Sequence, residues 1–86
     1  MWWYVYVLFN PKTKKKYIGY TNNINRRVKE HYQGRGGKYT SKFGHFKLVY
    51  YETYRDEKDA RASEHFYKSG YGREVLVGKL RHFLNQ

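Results

Sequence analysis

Cysteine is absent from the 86 residues of this chain, and proline occurs once, at Pro11. Without thiols the chain can form neither a disulfide framework nor a thiolate metal site, and this composition fits a cytoplasmic location. No apolar run approaches the roughly 20 residues that a transmembrane helix needs, so we expect no membrane partner. The apolar segment 1–10 lacks the basic flank and the cleavage site of a signal peptide, and its composition is typical of a strand.

Acidic residues are scarce: there are 7 of them against 18 lysines and arginines, which gives a formal net charge of +11. The imbalance lies in the first part of the chain, because residues 1–50 carry a single acid, Glu30. A one-sided basic field attracts polyanions, and nucleic acid is the commonest of them. Aromatic residues make up 21% of the chain and are interleaved with the basic ones in the same half. We therefore expect a nucleic-acid partner.

Three segments have the composition of β-strands: 2–9, 16–21 and 46–54. The first is apolar on both faces, which predicts a central strand. The Asn10–Lys12 segment is a turn signal, so the first two strands should form an antiparallel hairpin. Such a hairpin would bring Tyr6 close to Tyr17.

Three helices are predicted, over about 24–32, 57–68 and 73–84. The Thr21–Asn23 segment and Asp56 offer N-caps for the first two, and Gly70 is a plausible stop for the second. The order β-β-α-β-α-α predicts an α+β fold, with a three-stranded mainly antiparallel sheet flanked by helices. At this length we expect residues 1–86 to form one domain.

A glycine-rich segment with basic residues follows the first predicted helix, at 33–38. Glycine lets a backbone approach a ligand closely, and lysine and arginine favour phosphodiester contacts. We predict nucleic-acid contacts at Arg35, Lys38 and Lys42, with ordinary surface charge as the alternative. No Gly-Lys-Ser/Thr ending is present, so the segment is not a nucleotide-binding P-loop.

The predicted hairpin resembles the signature of the GIY-YIG nucleases. Residues 4–6 (YVY) keep the tyrosine of the first signature tripeptide, and residues 17–19 (YIG) match the second in full. The stretches YIGYTNNINRRVKEH, FKLVYYE and KSGYGRE are similar to the small stand-alone bacterial members. The resemblance spans nearly the whole chain. It implies the GIY-YIG fold and a metal-dependent endonuclease that hydrolyses phosphodiester bonds in line, with DNA, including structured or branched DNA, favoured over RNA.

The resemblance assigns a metal-binding role to Glu64, as the sole protein ligand of one divalent ion, Mg²⁺ or Mn²⁺. A single carboxylate suits this role, because Mg²⁺ commonly keeps several waters and uses one or two carboxylates. A metal ion can neutralise the charge that develops on the phosphate and the leaving oxygen. The alternative is a local ion pair of Glu64 with Arg61 or Lys68.

Four further residues complete the catalytic set that the resemblance implies: Tyr6, Tyr17, Arg27 and His31. Either Tyr6 or Tyr17 would orient or deprotonate the attacking water, and the sequence does not choose between them. Arg27 can bind phosphate oxygens bidentately and stabilise the charge of the transition state. His31 lies one helical turn beyond Arg27 and would assist proton transfer.

Further nucleic-acid contacts are predicted at Gly19, Arg26, Lys68 and Arg73. Gly19 would permit a close approach of the backbone to another element, and Arg26 points about 100° around the helix from Arg27. Lys68 and Arg73 belong to a segment typical of the stand-alone members. The chain departs from the family pattern at one position, because the only asparagine after Glu64 is Asn85. Lys68 or a neighbour is the candidate substitute, and a low activity is the alternative.

Two other functions compete with the nuclease. The first is a catalytically silent nucleic-acid-binding module of the same fold, which would bind in a salt-sensitive manner without a metal. The second is a basic accessory protein that binds an acidic partner or ribosomal RNA. In each case we expect a monomer or a weak dimer.

Overall fold

The computed structural model describes residues 1–32 and 46–86. Its elements are β1 (Trp3–Phe9), β2 (Lys16–Thr21), α1 (Ile24–Tyr32), β3 (Lys47–Tyr54), α2 (Glu57–Lys68), α3 (Gly70–Lys79) and α4 (Arg81–Leu84). The sheet order is β2-β1-β3, and both pairings are antiparallel. The predicted α+β fold, a three-stranded sheet flanked by helices, is confirmed. Within the described residues, no helix is long and apolar enough to cross a membrane.

The central position predicted for β1 is confirmed, because β1 pairs with β2 on one side and with β3 on the other. Both of its faces are also covered. On one face Val5 and Val7 are completely buried and pack with residues of α2 and α3. On the other face Tyr6 and Leu8 pack against α1 and against Phe46, which precedes β3. Side chains alternate between the faces of a strand, so the tyrosine of the first tripeptide faces α1 while its valine neighbours face α2.

The hairpin between β1 and β2 forms as predicted. The side chain of Asn10 organises the turn, since its Oδ1 accepts a hydrogen bond from the backbone N–H of Lys12 at 2.9 Å. Lys14 adopts a left-handed conformation, with φ of 63°. The resulting register pairs Tyr6 with Gly19. Asn23 caps α1 by accepting from the N–H of Arg26 at 3.0 Å, as expected for one of the predicted cap residues.

The helix predicted over 57–68 is confirmed as α2, whereas the prediction for the residues after it was wrong. Ser69 is the C-cap of α2, and Gly70, the predicted stop, is instead the first residue of α3. The Ser69 hydroxyl serves both helices, because it donates to the Phe66 carbonyl at 2.6 Å and accepts from the N–H of Gly72 at 3.1 Å. The helix predicted over 73–84 is instead two helices, which are divided at Leu80.

A carboxylate on β3 ties the two long C-terminal helices to the sheet. The side chain of Glu52 accepts hydrogen bonds from two strand neighbours and three helical residues: Tyr50, Tyr54, Ser63, Tyr67 and Lys79. Ser63 and Tyr67 belong to α2, so this network fixes the position of that helix against β3.

Candidate active site

Four of the predicted catalytic residues form one cluster on the α1 face of the sheet. The Tyr6 Oη lies 3.2 Å from Nε2 of His31. The ring of Tyr17 is centred 4.8 Å from that of His31 and 6.3 Å from that of Tyr6. Arg27 hydrogen-bonds to both tyrosines and pairs with Glu30 at 3.2 Å. The hairpin therefore brings the two signature tyrosines together, and α1 adds the histidine and the arginine.

The absence of a side chain at Gly19 makes room for Tyr6. A Cβ atom at position 19 would lie 2.6 Å from the Tyr6 Oη, which is closer than non-bonded atoms tolerate. The predicted close approach therefore involves Tyr6, its cross-strand partner in the hairpin. A contact of Gly19 with nucleic acid stays a prediction.

Burial and the arginine set the protonation states in the cluster. Burial raises the pKa of Tyr6 to about 12, although the hydrogen bond from Arg27 opposes this shift. Burial, followed by the positive charge of Arg27, lowers the pKa of His31. At neutral pH the phenol is thus protonated and the imidazole is neutral. These states let Arg27 donate to the Tyr6 oxygen while the Tyr6 hydroxyl donates to His31.

The cluster has an inner and an outer layer. Tyr6 is 1% exposed and His31 is 4% exposed, so neither can contact a bulky substrate directly. Tyr17 and Arg27 are partly exposed. Any chemistry on a nucleic acid must therefore reach the cluster through Tyr17 and Arg27.

Glu64 approaches from the other helix layer. It lies on α2, which contacts both β1 and β2. Its negative charge is among the causes that raise the pKa of Tyr6, which places the carboxylate within electrostatic reach of the cluster. The Glu64 side chain is 14% exposed and pairs with Lys68 at 3.3 Å. The alternative predicted for Glu64, a local ion pair, is thus present in the structure.

The donor set around Glu64 fits a hard divalent cation that keeps most of its waters. Among the residues that the structure describes, no group of three or more His, Cys, Asp or Glu side chains could hold a metal. Such a group is what zinc sites require, whereas Mg²⁺ is commonly held by one or two carboxylates. A partly exposed carboxylate with one lysine partner remains accessible to such an ion.

Two depressions follow β2, one at each end of the strand. The first, of about 640 Å³, we term the hairpin groove; its wall includes Lys14, Lys15, Lys16, Tyr17, Lys68 and Arg73. The second, of about 420 Å³, we term the α1 groove; its wall includes Tyr20, Thr21, Arg26, Arg27, Glu30 and Glu57. On α2, Glu64 lies between Arg61, which donates to the Tyr20 hydroxyl, and Lys68 of the hairpin groove.

The remaining predicted residues divide into three groups. Arg26 lines the α1 groove, and Lys68 and Arg73 line the hairpin groove. Asn85 is exposed at the end of α4 and lines neither of these grooves. The predicted contacts in the glycine-rich segment lie outside the described residues: Arg35, Lys38 and Lys42.

Sequence reasoning missed the contribution of the hairpin turn. Lys14, Lys15 and Lys16 form the largest part of the basic wall beside Tyr17. Three consecutive lysines between the predicted turn and the start of the second predicted strand were a visible signal, but nothing local indicated that they would face Lys68. Arg61 was also missed as a contact of the hairpin, although its position three residues before Glu64 puts both on one helix face.

The chain matches a known family along most of its length. Residues 2–76 match the GIY-YIG catalytic domain. A UPF0213 protein of Clostridium perfringens is 42% identical over 65 residues, which cover 76% of this chain and 69% of that protein. A UPF0213 protein of Pediococcus acidilactici is 39% identical over 75 residues, which cover 85% of this chain and 76% of that protein.

A solved structure is also similar to this chain, and it belongs to a UPF0213 protein as well. The solution NMR structure of a UPF0213 protein of Bacillus halodurans is 36% identical, with a TM-score of 0.55, and the match covers 91% of this chain and 84% of that one. The chain belongs to the GIY-YIG family. The similar proteins are small UPF0213 members of it, and their names state no activity, metal or substrate. GIY-YIG domains are generally endonucleases that act on nucleic acid with a divalent metal.

Proposed function

We propose that this chain is a metal-dependent endonuclease that hydrolyses phosphodiester bonds, with DNA favoured over RNA as its substrate. The observation that carries the proposal is the placement of Arg27, whose guanidinium bonds to both signature tyrosines while lining an open groove. A guanidinium in this position can bind two oxygens of one phosphate. The tyrosines then lie next to the phosphate that is to be cut.

Exposure favours Tyr17 over Tyr6 as the tyrosine that contacts the attacking water. Tyr17 reaches the surface and lines the hairpin groove, so its hydroxyl can orient the attacking water. Tyr6 is buried and its pKa of about 12 keeps it protonated, which disfavours a role as the direct base. Tyr6 instead positions Arg27 and His31 through its hydrogen bonds. The neutral His31 can accept the hydrogen bond of the Tyr6 hydroxyl and thereby helps to position it.

Glu64 is the residue that would hold the metal, Mg²⁺ or Mn²⁺. When bound, the ion would supply positive charge to the phosphate and to the leaving oxygen. Lys68 pairs with Glu64 at 3.3 Å, so its ammonium can hold the carboxylate towards the site and stabilise the same developing charge. In this chain Lys68 would thereby take the place of the asparagine that many relatives carry.

The proposal predicts that Glu64→Gln abolishes cleavage. Loss of the ligand should lower the rate by roughly 10²–10⁴-fold, since a metal contributes several kcal/mol of charge stabilisation. The assay compares wild type and variant on fluorescent single-stranded, duplex, flapped and branched DNA, and on RNA of the same sequence, with Mg²⁺ and with Mn²⁺. Glu74→Gln, which removes an exposed carboxylate on α3, is the matched control and should keep the wild-type rate.

Two results would contradict the proposal. One is a wild-type protein that cleaves none of these substrates with either metal. The other is an equal rate for wild type and Glu64→Gln, which would show that the cleavage comes from elsewhere.

A catalytically silent nucleic-acid-binding module is the second candidate, and the position of Asn85 favours it. This side chain is exposed at the end of α4, so no asparagine after Glu64 joins the site. Such a module would bind nucleic acid without a metal, and its affinity would survive Glu64→Gln.

A further inference from the structure

The hairpin groove is basic throughout. Its wall carries five cationic side chains: Lys14, Lys15 and Lys16 from the hairpin, and Lys68 and Arg73 from the junction of α2 with α3. Among the described residues that form this wall, none carries a carboxylate. Elements that are distant in sequence thus direct positive charge into one depression, where an anionic ligand would be held from two sides.

The α1 groove at the other end of β2 has a different charge balance. Its wall holds Arg26 and Arg27, but also Glu30 and Glu57. Two carboxylates offset the two guanidinium groups, and Arg27 is already paired with Glu30. Among the described residues that line the two grooves, the excess positive charge therefore lies at the Lys16 end of β2.

The hairpin groove is also continuous with the candidate active site. Tyr17 belongs both to the groove wall and to the cluster with His31. Lys68 belongs to the wall and pairs with Glu64. Ile18 and Leu76 are buried beneath the groove and Val77 is exposed in its wall, which adds an apolar surface between the cations. Sugar rings can pack against such a surface while phosphates face the lysines.

We propose that the hairpin groove binds the phosphodiester backbone of a nucleic-acid strand that passes Tyr17, and that, among the described residues, its cations supply most of the affinity for that strand. The α1 groove, whose charges balance, contributes less backbone affinity, and its proposed phosphate contact is that of Arg27 with the phosphate that is cut. The inference rests on the proposed function for the position of the cut. The binding surface itself stands on the charge and the lining of the groove.

The test neutralises the hairpin side of the groove. The variant carries Lys14→Asn, Lys15→Gln and Lys16→Gln; asparagine is used at 14 because it tolerates the positive φ found there. The matched control, Lys47→Gln with Lys58→Gln and Arg81→Gln, removes the same charge from exposed positions that do not line the groove. Circular dichroism and thermal melting establish that both triple variants fold like the wild type.

Binding is measured by fluorescence anisotropy with labelled 12-nucleotide DNA and RNA strands, in EDTA and over a range of salt. The groove variant should bind roughly tenfold more weakly than wild type. The slope of log K against log salt should fall by about 2, since each lost phosphate contact removes roughly 0.7 for a single strand. The control should change affinity less than about threefold, and Arg26→Gln less than Lys15→Gln.

Equal losses in the two triple variants would overturn the proposal, because they would show that only net charge matters. So would stronger competition by poly-glutamate than by unlabelled nucleic acid, which would indicate an acidic polypeptide as the ligand. Because EDTA removes divalent metals, this experiment does not depend on cleavage. If the wild type cleaves no substrate and only the groove variant loses affinity for the strand, the proposed nuclease activity is contradicted. The proposed binding of a strand in the hairpin groove is then still supported.

Discussion

The two signature tyrosines lie in one cluster, but their environments differ. The Tyr6 hydroxyl is buried and bonded to His31 and Arg27, whereas Tyr17 opens to the hairpin groove. Removal of a buried hydroxyl leaves its partners without a hydrogen bond and lowers the stability of the fold. Removal of an exposed hydroxyl that orients the attacking water lowers the reaction rate instead. Removal of each hydroxyl should therefore have a different main effect.

We predict that Tyr17→Phe lowers the cleavage rate by about 10²-fold or more and leaves the free energy of unfolding within about 0.5 kcal/mol of wild type. Tyr6→Phe should lower the free energy of unfolding by about 1–3 kcal/mol, because His31 and Arg27 lose a buried partner. Its effect on cleavage should be the smaller of the two. Single-turnover rates and urea unfolding of both variants provide the measurement, and a reversed order of the two cleavage losses would contradict the assignment.

Among the secondary-structure elements, α2 is held to the sheet by apolar packing and by a network of hydrogen bonds to one carboxylate, Glu52. Burial alone would raise the pKa of Glu52, but its hydrogen bonds outweigh burial and lower the pKa to about 2 from 4.5. The same contacts, together with burial, raise the pKa of Tyr50 and Tyr67. Ser63 and Tyr67 lie on either side of Glu64 in sequence, so the network that holds β3 to α2 also fixes the helix that carries Glu64.

The lowered pKa of Glu52 predicts a pH-dependent stability. A carboxylate whose pKa is lower in the folded than in the unfolded state stabilises the fold above about pH 4.5, and this contribution is lost as the pH falls towards 2. Glu52→Gln should cost about 3 kcal/mol at pH 7 and should flatten the decline of stability between pH 5 and 2. Urea unfolding across that range measures both effects, with Glu74→Gln as the exposed control. Parallel pH profiles for wild type and Glu52→Gln would contradict this account.

Across the whole molecule, the sequence predicted those features that depend on interactions between residues close in sequence. The contact of Tyr6 with Tyr17 followed from a turn at Asn10 and from strand alternation, which together fix the hairpin register. The division at Ser69 did not follow, because one hydroxyl bonds to two helices at once. The hairpin groove could not be predicted from the sequence either, since it depends on how the α2–α3 junction packs against a turn about 50 residues earlier. The family resemblance supplied Glu64, which its sequence context alone would not have separated from other acids.

Packing across the molecule carries the last prediction, that residues 1–86 form one cooperative domain. Leu76 of α3 is 1% exposed and packs in a cluster with Val5 and Val7 of the central strand. Leu76→Ala should therefore cost about 2–5 kcal/mol, a large part of the roughly 5–15 kcal/mol typical of a domain. Val77→Ala, at a position that is 44% exposed, should cost less than about 1 kcal/mol.

The measurement uses two probes during urea unfolding of the Leu76→Ala variant. Tryptophan fluorescence reports mainly on the sheet, since Trp3 lies in β1 and the second tryptophan, Trp2, directly precedes it. Far-ultraviolet circular dichroism reports mainly on the helices. If α3 and the sheet share one core, both transitions shift together to lower urea, because a side chain lost from one element weakens all of them. Two separate transitions, with helix lost while the fluorescence of the folded sheet persists, would instead show that the C-terminal helices dock on an independently stable sheet.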